Sequence, residues 1–152
     1  LTPGWNLFSL WILPDPNAPN DVLLTDNRGQ LDRGSVWEWA RDLPNNPKYD
    51  ETDALVPLTG YWVYLNEDTD VTVHATGLRA AEGIQLGQGW NLVGVPWPTS
   101  LPENTPMLPH MWWWNAETST YVPIGQSQDE QLQPSIGYWI YAVGDYDWHF
   151  QR

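Results

Sequence analysis

Residues 55–64 read Leu-Val-Pro-Leu-Thr-Gly-Tyr-Trp-Val-Tyr, and residues 132–141 read Leu-Gln-Pro-Ser-Ile-Gly-Tyr-Trp-Ile-Tyr, so one pattern occurs twice at an offset of 77 positions. The second half of each copy is aromatic and β-branched, and neither alternate set of side chains is polar. Such a run is typical of a β-strand that is covered on both faces. The pattern therefore predicts two corresponding central strands.

Two further stretches recur around this pair. Residues 1–7, Leu-Thr-Pro-Gly-Trp-Asn-Leu, return as residues 86–92, Leu-Gly-Gln-Gly-Trp-Asn-Leu. Val-Trp-Glu-Trp at 36–39 returns as Met-Trp-Trp-Trp at 111–114. A repeated unit fixes the architecture of a chain. We therefore predict an all-β fold, an internally duplicated barrel or sandwich with two pseudo-symmetric halves.

The chain has 152 residues, which suits one compact domain. We place repeat one at 1–77, a connector at 78–83 and repeat two at 84–152. The first repeat is longer between Leu10 and Val36, where we expect a long loop or a small excursion. Such loops are frequent places for binding residues, and the alternative is that this one only connects strands.

Local signals agree with strands, with one competing pattern. Residues 112–123 predict a hairpin with its turn at 115–119. Ser35 and Glu38 have the spacing of a helix capping box, and an apolar helical period follows before Pro44. The counterpart at 111–114 lacks that pattern, so we predict a strand over 36–39, with a short helical turn as the alternative.

Charge and composition exclude several classes of protein. The formal charge is -13, with 6 basic residues, which is too few for a surface that binds nucleic acid. The absence of cysteine excludes disulfides and thiol chemistry. No apolar run is long enough to span a bilayer, so we expect no membrane insertion. Because the chain starts at Leu1, we expect a segment of a longer polypeptide.

Aromatic content is the outlier, with 12 Trp and 7 Tyr against 2 Phe. Large rings that carry a polar atom are typical of positions that are partly buried and partly exposed to solvent. Seven pairs match between the repeats: Trp5/Trp90, Trp37/Trp112, Trp39/Trp114, Trp62/Trp139, Tyr49/Tyr121, Tyr61/Tyr138 and Tyr64/Tyr141. We expect the matched rings to fill equivalent core positions, the alternative being a repeated binding site, one per half.

The unmatched rings are the predicted ligand-binding residues, because several exposed Trp on one surface mark an interaction site. They are Trp11, Trp97, Trp113 and Trp148, to which we add Tyr146. Trp113 stands where the first repeat has Glu38, which suggests a solvent-facing position, although packing beneath a loop is the alternative.

The apolar C–H face of a pyranose packs on a solvent-exposed Trp ring, and its hydroxyls bind polar side chains. The predicted partner is therefore a polysaccharide or glycan. A proline-rich peptide or a cationic ligand is a rival. No nucleophile elbow, phosphate loop or local His pair is present, so we predict no catalytic residues, no metal and no cofactor. Acidic clusters at 50–53 and 129–130, and oxygen ligands for calcium between 15 and 32, are weak signals.

The succession Gly-Trp-Asn-Leu, Trp-x-Trp and Leu-x-Pro-x-x-Gly-Tyr-Trp-[Val/Ile]-Tyr resembles tandem segments of modular secreted and cell-surface bacterial proteins, across nearly the whole chain. The resemblance implies a non-catalytic, extracellular accessory module attached to other domains of the same polypeptide. A carbohydrate-binding module is the leading function. A structural or assembly module of a surface layer, filament or adhesin is the alternative.

Overall fold

The computed structural model describes residues 1–25, 31–40, 48–67, 70, 72, 75–79, 82–101, 107–125 and 130–150. These residues are nearly all β, which confirms the all-β part of the predicted fold. The strands are β1 (Gly4–Ser9), β2 (Ile12–Pro14), β3 (Arg33–Ala40), β4 (Lys48–Glu51), β5 (Gly60–Leu65), β6 (Gly77–Arg79), β7 (Gly83–Leu86), β8 (Gly89–Val93), β9 (Thr99–Ser100), β10 (Met107–Asn115), β11 (Thr120–Ile124), β12 (Gln131–Leu132), β13 (Tyr138–Ala142) and β14 (Tyr146–His149), and a short helix α1 spans Pro19–Val22.

Two four-stranded antiparallel sheets dominate the fold. The first has the order β1-β5-β3-β4, and the second, taken from its β8 edge, has the order β8-β13-β10-β11. The predicted central strands are β5 and β13, and each has a neighbour on both sides, as expected for strands without a polar face. Trp37 lies opposite Trp62 in the first sheet, and Trp112 lies opposite Trp139 in the second.

The choice of a strand over 36–39 is correct. Trp37 of β3 pairs with Trp62 on one side and with Glu51 of β4 on the other, which satisfies the backbone and places large rings beside one another. The hairpin at 112–123 is also present, formed by β10 and β11, and Ser119 in its turn has a φ of 51°. Tertiary pairing therefore overrides the helical period around Val36.

The smaller sheets are two-stranded: β2 with β6, β7 with β14, and β9 with β12. The predicted connector, 78–83, overlaps two strands, because β6 extends to Arg79 and β7 begins at Gly83. The extra segment of the first repeat contains β2 and α1, and Val22 and Leu23 are only 2% and 1% exposed. That segment is thus more than a connector, because it fills core.

The strands of the described residues do not form a closed barrel, so the barrel alternative of the fold prediction is wrong. The two sheets instead lie against each other through one face each, and they meet at a bridge between Phe8 and Ile136 and another between Thr59 and Val93. Backbone hydrogen bonds complete these junctions, from the amide of Ser9 to the carbonyl of Ser135 at 3.1 Å, and from Gly94 to Leu58 at 2.8 Å.

Three clusters of buried residues result. One packs on the outer face of the first sheet and includes Phe8, Tyr61 and Val63. A second packs on the outer face of the second sheet and includes Tyr138 and Ile140. The third lies between the sheets, and its buried members are Leu7, Trp62, Leu92 and Trp139.

Candidate functional site

The alternation of side chains along β5 separates a core face from an aromatic face. Tyr61 and Val63 point into the first core cluster and are fully buried, at 0% exposure. Trp62 and Tyr64 point to the opposite face, where Trp62 is buried between the sheets and Tyr64 is exposed. The period of two therefore places tryptophan and tyrosine on the face that meets the other sheet.

A buried asparagine positions the exposed Trp at the start of each edge strand. The side chain of Asn6 accepts from the amide of Thr2 at 3.0 Å and donates to the carbonyls of Thr2 and Gly4 at 2.7 and 2.9 Å. Asn91 makes the corresponding three bonds, to Gly87 and Gly89. Each asparagine thus holds the loop that leads into the Gly-Trp-Asn strand.

The Gly of this motif has a conformational role. Gly4 and Gly89 have φ values of 90° and 98°, in the left-handed region that residues with a side chain rarely adopt. The turn made there sends Trp5 and Trp90 toward the aromatic face, where they are 46% and 37% exposed.

Indole N–H groups form hydrogen bonds between the two sheets. The N–H of Trp114, on the second sheet, donates to the backbone carbonyl of Trp5 on the first, at 2.8 Å. The N–H of Trp39, on the first sheet, donates to the carbonyl of Trp90 on the second, at 3.2 Å. These bonds orient the indoles on which the neighbouring rings pack.

Ring contacts follow the same reciprocal plan and are mostly edge-to-face. The ring centroids of Trp39 and Trp139 are 5.0 Å apart, and those of Trp114 and Trp62 are 5.3 Å apart. Trp5 contacts Trp62, and Trp90 contacts Trp139, each at 6.1 Å. Perpendicular rings place a positive edge against a negative face, which adds about 0.5–1.5 kcal/mol per pair beyond burial.

Two open clefts lie in this aromatic layer. The Trp90 cleft has a volume of about 390 Å³, and it is lined by Trp39, Tyr49, Trp90, Trp112, Tyr121 and Trp139. The Trp5 cleft has a volume of about 370 Å³, and it is lined by Trp5, Trp37, Tyr49, Trp62, Trp114 and Tyr121. Exchanging matched residues of the repeats converts one lining into the other, and Tyr49 and Tyr121 line both clefts.

The strand partners of the matched residues Trp37 and Trp112 differ. Glu51 lies opposite Trp37 across β3 and β4 and is exposed, and it lines a separate pocket that also contains Arg33. Pro123 occupies the corresponding place opposite Trp112.

The tyrosines of the layer stay neutral at ordinary pH. Burial raises the pKa of Tyr49 to about 12, against a smaller lowering by the Trp62 indole N–H, which donates to its hydroxyl at 3.1 Å. Burial likewise raises the pKa of Tyr121, which is hydrogen-bonded to Trp139. A neutral phenol keeps its proton and remains a hydrogen-bond donor.

Four of the five predicted site residues lie in or against the second core cluster, and Trp11 lies apart from them. Trp11 is 43% exposed, in the bend between β1 and β2. The expectation of exposure is wrong for Trp148, which is 2% exposed within the second core cluster. Trp97, Trp113 and Tyr146 are partly buried against that cluster, and Glu38, the counterpart of Trp113, is likewise partly buried.

The two clefts are lined by matched aromatic residues and by none of the unmatched ones. Matched rings were expected to fill the core, and Trp62, Trp139, Tyr61 and Tyr138 do so. Other matched rings are exposed at the clefts: Trp5, Trp90, Tyr49 and Tyr121. Each cleft is lined by residues of both predicted repeats, and the recurring sequence pattern is the signal that points to these rings.

Acidic residues of the described chain form no group of three or more carboxylate or histidine ligands suited to a metal ion. The candidate calcium positions Asp26 and Asn27, and Asp129 of the acidic pair, lie outside the described residues. Burial raises the pKa of Glu38, whose neighbour across β3 and β4 is Asp50.

Among the described helices, none is long and apolar enough to cross a membrane. Comparisons with protein families, with curated proteins and with solved structures find no match for this chain. Its function is therefore inferred from the geometry of the two clefts.

Proposed function

We propose that this protein is a non-catalytic carbohydrate-binding module whose ligand sites are the Trp5 and Trp90 clefts. The supporting observation is the pair of open aromatic clefts with corresponding linings. The C–H face of a pyranose ring packs on an indole or phenol face, and the hydroxyls at its edge bind polar atoms of the rim. Tyr49 and Tyr121 supply such atoms, as neutral donors at 39% and 49% exposure.

Preorganisation favours binding by these clefts. Trp5 is held from beneath by its contact with Trp62, and its backbone carbonyl is fixed by the Trp114 indole. Trp90 has the corresponding contacts with Trp139 and Trp39. Rings that are already ordered lose little conformational entropy when a ligand arrives, so more of the contact energy contributes to affinity.

We also propose that the chain is an internal duplication with two pseudo-symmetric halves, repeat one at 1–77 and repeat two at 84–152. Reciprocal contacts support it: where Trp39 binds the carbonyl of Trp90, its matched residue Trp114 binds that of Trp5. Such reciprocity is the pattern of a twofold interface. With the resemblance to modular secreted and cell-surface proteins, the duplication favours an extracellular accessory module.

A structural or assembly role is the second candidate, and a separate surface favours it. Leu13 and Leu78 are partners across β2 and β6, and they are 48% and 75% exposed. Trp11 lies just before β2 and is 43% exposed. Apolar residues grouped in this way suit contact with another domain of the same polypeptide.

A glycan survey tests the carbohydrate proposal. The protein is screened against soluble and insoluble polysaccharides by affinity electrophoresis, pull-down and Trp fluorescence. We expect binding that weakens at least tenfold in Trp5→Ala and Trp90→Ala and is lost in the double variant. Trp11→Ala is the matched control, because Trp11 is equally exposed but lies outside both clefts, and it should bind like the parent.

Three outcomes overturn the proposal: no glycan binds, the double variant binds normally, or Trp11→Ala alone abolishes binding. A proline-rich peptide or tetramethylammonium that binds the clefts while glycans do not would replace sugar as the ligand. Sedimentation experiments test the assembly role. It would be favoured if the protein associates as its concentration rises, shows no glycan response, and no longer associates in Leu13→Asp or Leu78→Asp.

A further inference from the structure

We propose that Tyr49 and Tyr121 join the two clefts into one continuous site, which takes an extended oligosaccharide chain across both clefts in preference to two separate short ligands. This inference rests on the proposed function. It goes further by making ligand length the property that the protein selects.

Tyr49 belongs to both clefts by its contacts. Its ring packs on Trp39 at 5.4 Å and on Trp139 at 6.3 Å, and both of these indoles line the Trp90 cleft. Its hydroxyl accepts a hydrogen bond from the N–H of Trp62, which lines the Trp5 cleft. The one side chain therefore reaches from the wall of one cleft to the wall of the other.

Tyr121 makes the reciprocal set of contacts. Its ring packs on Trp114 at 5.1 Å and on Trp62 at 6.3 Å, in the Trp5 cleft. Its hydroxyl is hydrogen-bonded to Trp139, in the Trp90 cleft. Each tyrosine thus contacts both clefts. Among the described residues, the other side chains that line the clefts are all tryptophans.

The tyrosines are also accessible. Tyr49 is on β4 and Tyr121 is on β11, the edge strands of the two sheets, and the rings are 39% and 49% exposed. Each hydroxyl oxygen accepts a hydrogen bond from an indole N–H, so the hydroxyl can still donate its own proton to a ligand. A ligand that passes between the clefts would meet two rings and two hydroxyl donors there.

A chain that occupies both clefts binds the second one intramolecularly. The second contact then forms at an effective concentration far above that of free ligand, which raises the overall affinity without any new residue. We expect a long oligosaccharide to bind more than about tenfold more tightly than a short one of the same linkage.

Isothermal titration calorimetry with length series tests this. The probes are cello-, xylo- and chito-oligosaccharides of two to six units, chosen by the polysaccharide that binds in the survey. We expect short members to bind two per protein and the longest members to bind one per protein. Trp5→Ala should reduce the affinity for the longest member to about the short-chain value while one short chain still binds.

Tyr49→Ala/Tyr121→Ala should remove the length dependence. The matched control is Tyr64→Ala, because Tyr64 is similarly exposed at 42% and contacts Trp5 but lines neither cleft. Circular dichroism and denaturant midpoints establish that each variant is folded. If the tyrosine pair proves necessary for folding, Trp5→Ala alone decides the question.

Failure of this inference differs from failure of the proposed function. If Trp5 and Trp90 are needed for binding but affinity is independent of length, and Trp5→Ala merely halves the stoichiometry at every length, the clefts are independent and the inference is overturned. If binding survives loss of both Trp5 and Trp90, the clefts are not the site and the proposed function is overturned as well.

Discussion

The indole N–H of Trp114 on one sheet donates a 2.8 Å hydrogen bond to the backbone carbonyl of Trp5 on the other. Trp5 is the first large ring of the chain, and its counterpart Trp90 receives the corresponding bond from Trp39 at 3.2 Å. Each cleft takes two of its rings from the opposite sheet: Trp114 and Tyr121 in the Trp5 cleft, and Trp39 and Tyr49 in the Trp90 cleft. Relative placement of the sheets and the shape of both clefts are set by the same contacts.

Replacing the crossing indoles tests this coupling. Trp114→Phe and Trp39→Phe keep an aromatic ring but remove the N–H, so each should lower the free energy of unfolding by about 0.5–1.5 kcal/mol. Chemical denaturation measures the effect, and the double variant should lose about the sum. Wild-type stability in both single variants would mean that the bonds contribute nothing to the sheet contact.

The buried asparagines should carry a larger effect. Asn6→Ala and Asn91→Ala each leave buried backbone groups unpaired, and each residue is only 4% exposed, so we expect a loss of about 1–3 kcal/mol. Equilibrium unfolding in urea measures it. Asn115→Ala is the control, because that side chain likewise bonds the backbone, accepting from the amides of Glu117 and Thr118, but in an exposed turn, so its loss should be smaller.

Glycines at the junction of the sheets should not tolerate a β-carbon. At position 60 it would lie 2.7 Å from Cγ of Leu92, and at position 137 it would lie 2.8 Å from Cγ of Leu7. Overpacking of this kind costs about 1–3 kcal/mol, so Gly60→Ala and Gly137→Ala should lower the midpoint of thermal unfolding. Gly34→Ala is the control, since its nearest atoms would be at 3.8 Å. Equal behaviour of all three variants would contradict the close contact.

Stability should fall in alkaline solution. Burial raises the pKa of Tyr61 and Tyr138 from 10.0 to about 12. In the unfolded chain these phenols ionise near pH 10, whereas in the fold they stay protonated until about pH 12, so unfolding releases protons between those values. The stabilisation is complete below pH 10 and is lost as the pH rises toward 12.

Denaturant unfolding at a series of pH values, with tyrosinate absorbance at each, measures this loss. Tyr61→Phe and Tyr138→Phe should be less stable at neutral pH, because the amides of Val56 and Gln133 lose an acceptor at 2.7 Å. The same variants should show a shallower decline above pH 10 than the parent. A decline as steep as that of the parent would assign the alkaline sensitivity to other groups.

Much of the fold was accessible from local patterns. The apolar run at 60–64 predicted a central strand, and the repeat correctly rejected a helix over 36–39 although the helical period was there. These inferences succeed because strand periodicity and β-branched or aromatic content act within a few residues. The closed barrel failed, because closure depends on how edges far apart in sequence meet.

The recurring pattern identified which aromatic residues match, since Trp5 and Trp90, or Tyr49 and Tyr121, occupy the same places in it. Their exposure follows only from the packed fold. Trp62 and Trp148 end up buried while Trp5 stays open, because exposure depends on what the second sheet and the outer core clusters cover. Periodicity assigns a side chain to a face of its strand, but the packing of distant segments determines whether that face meets solvent.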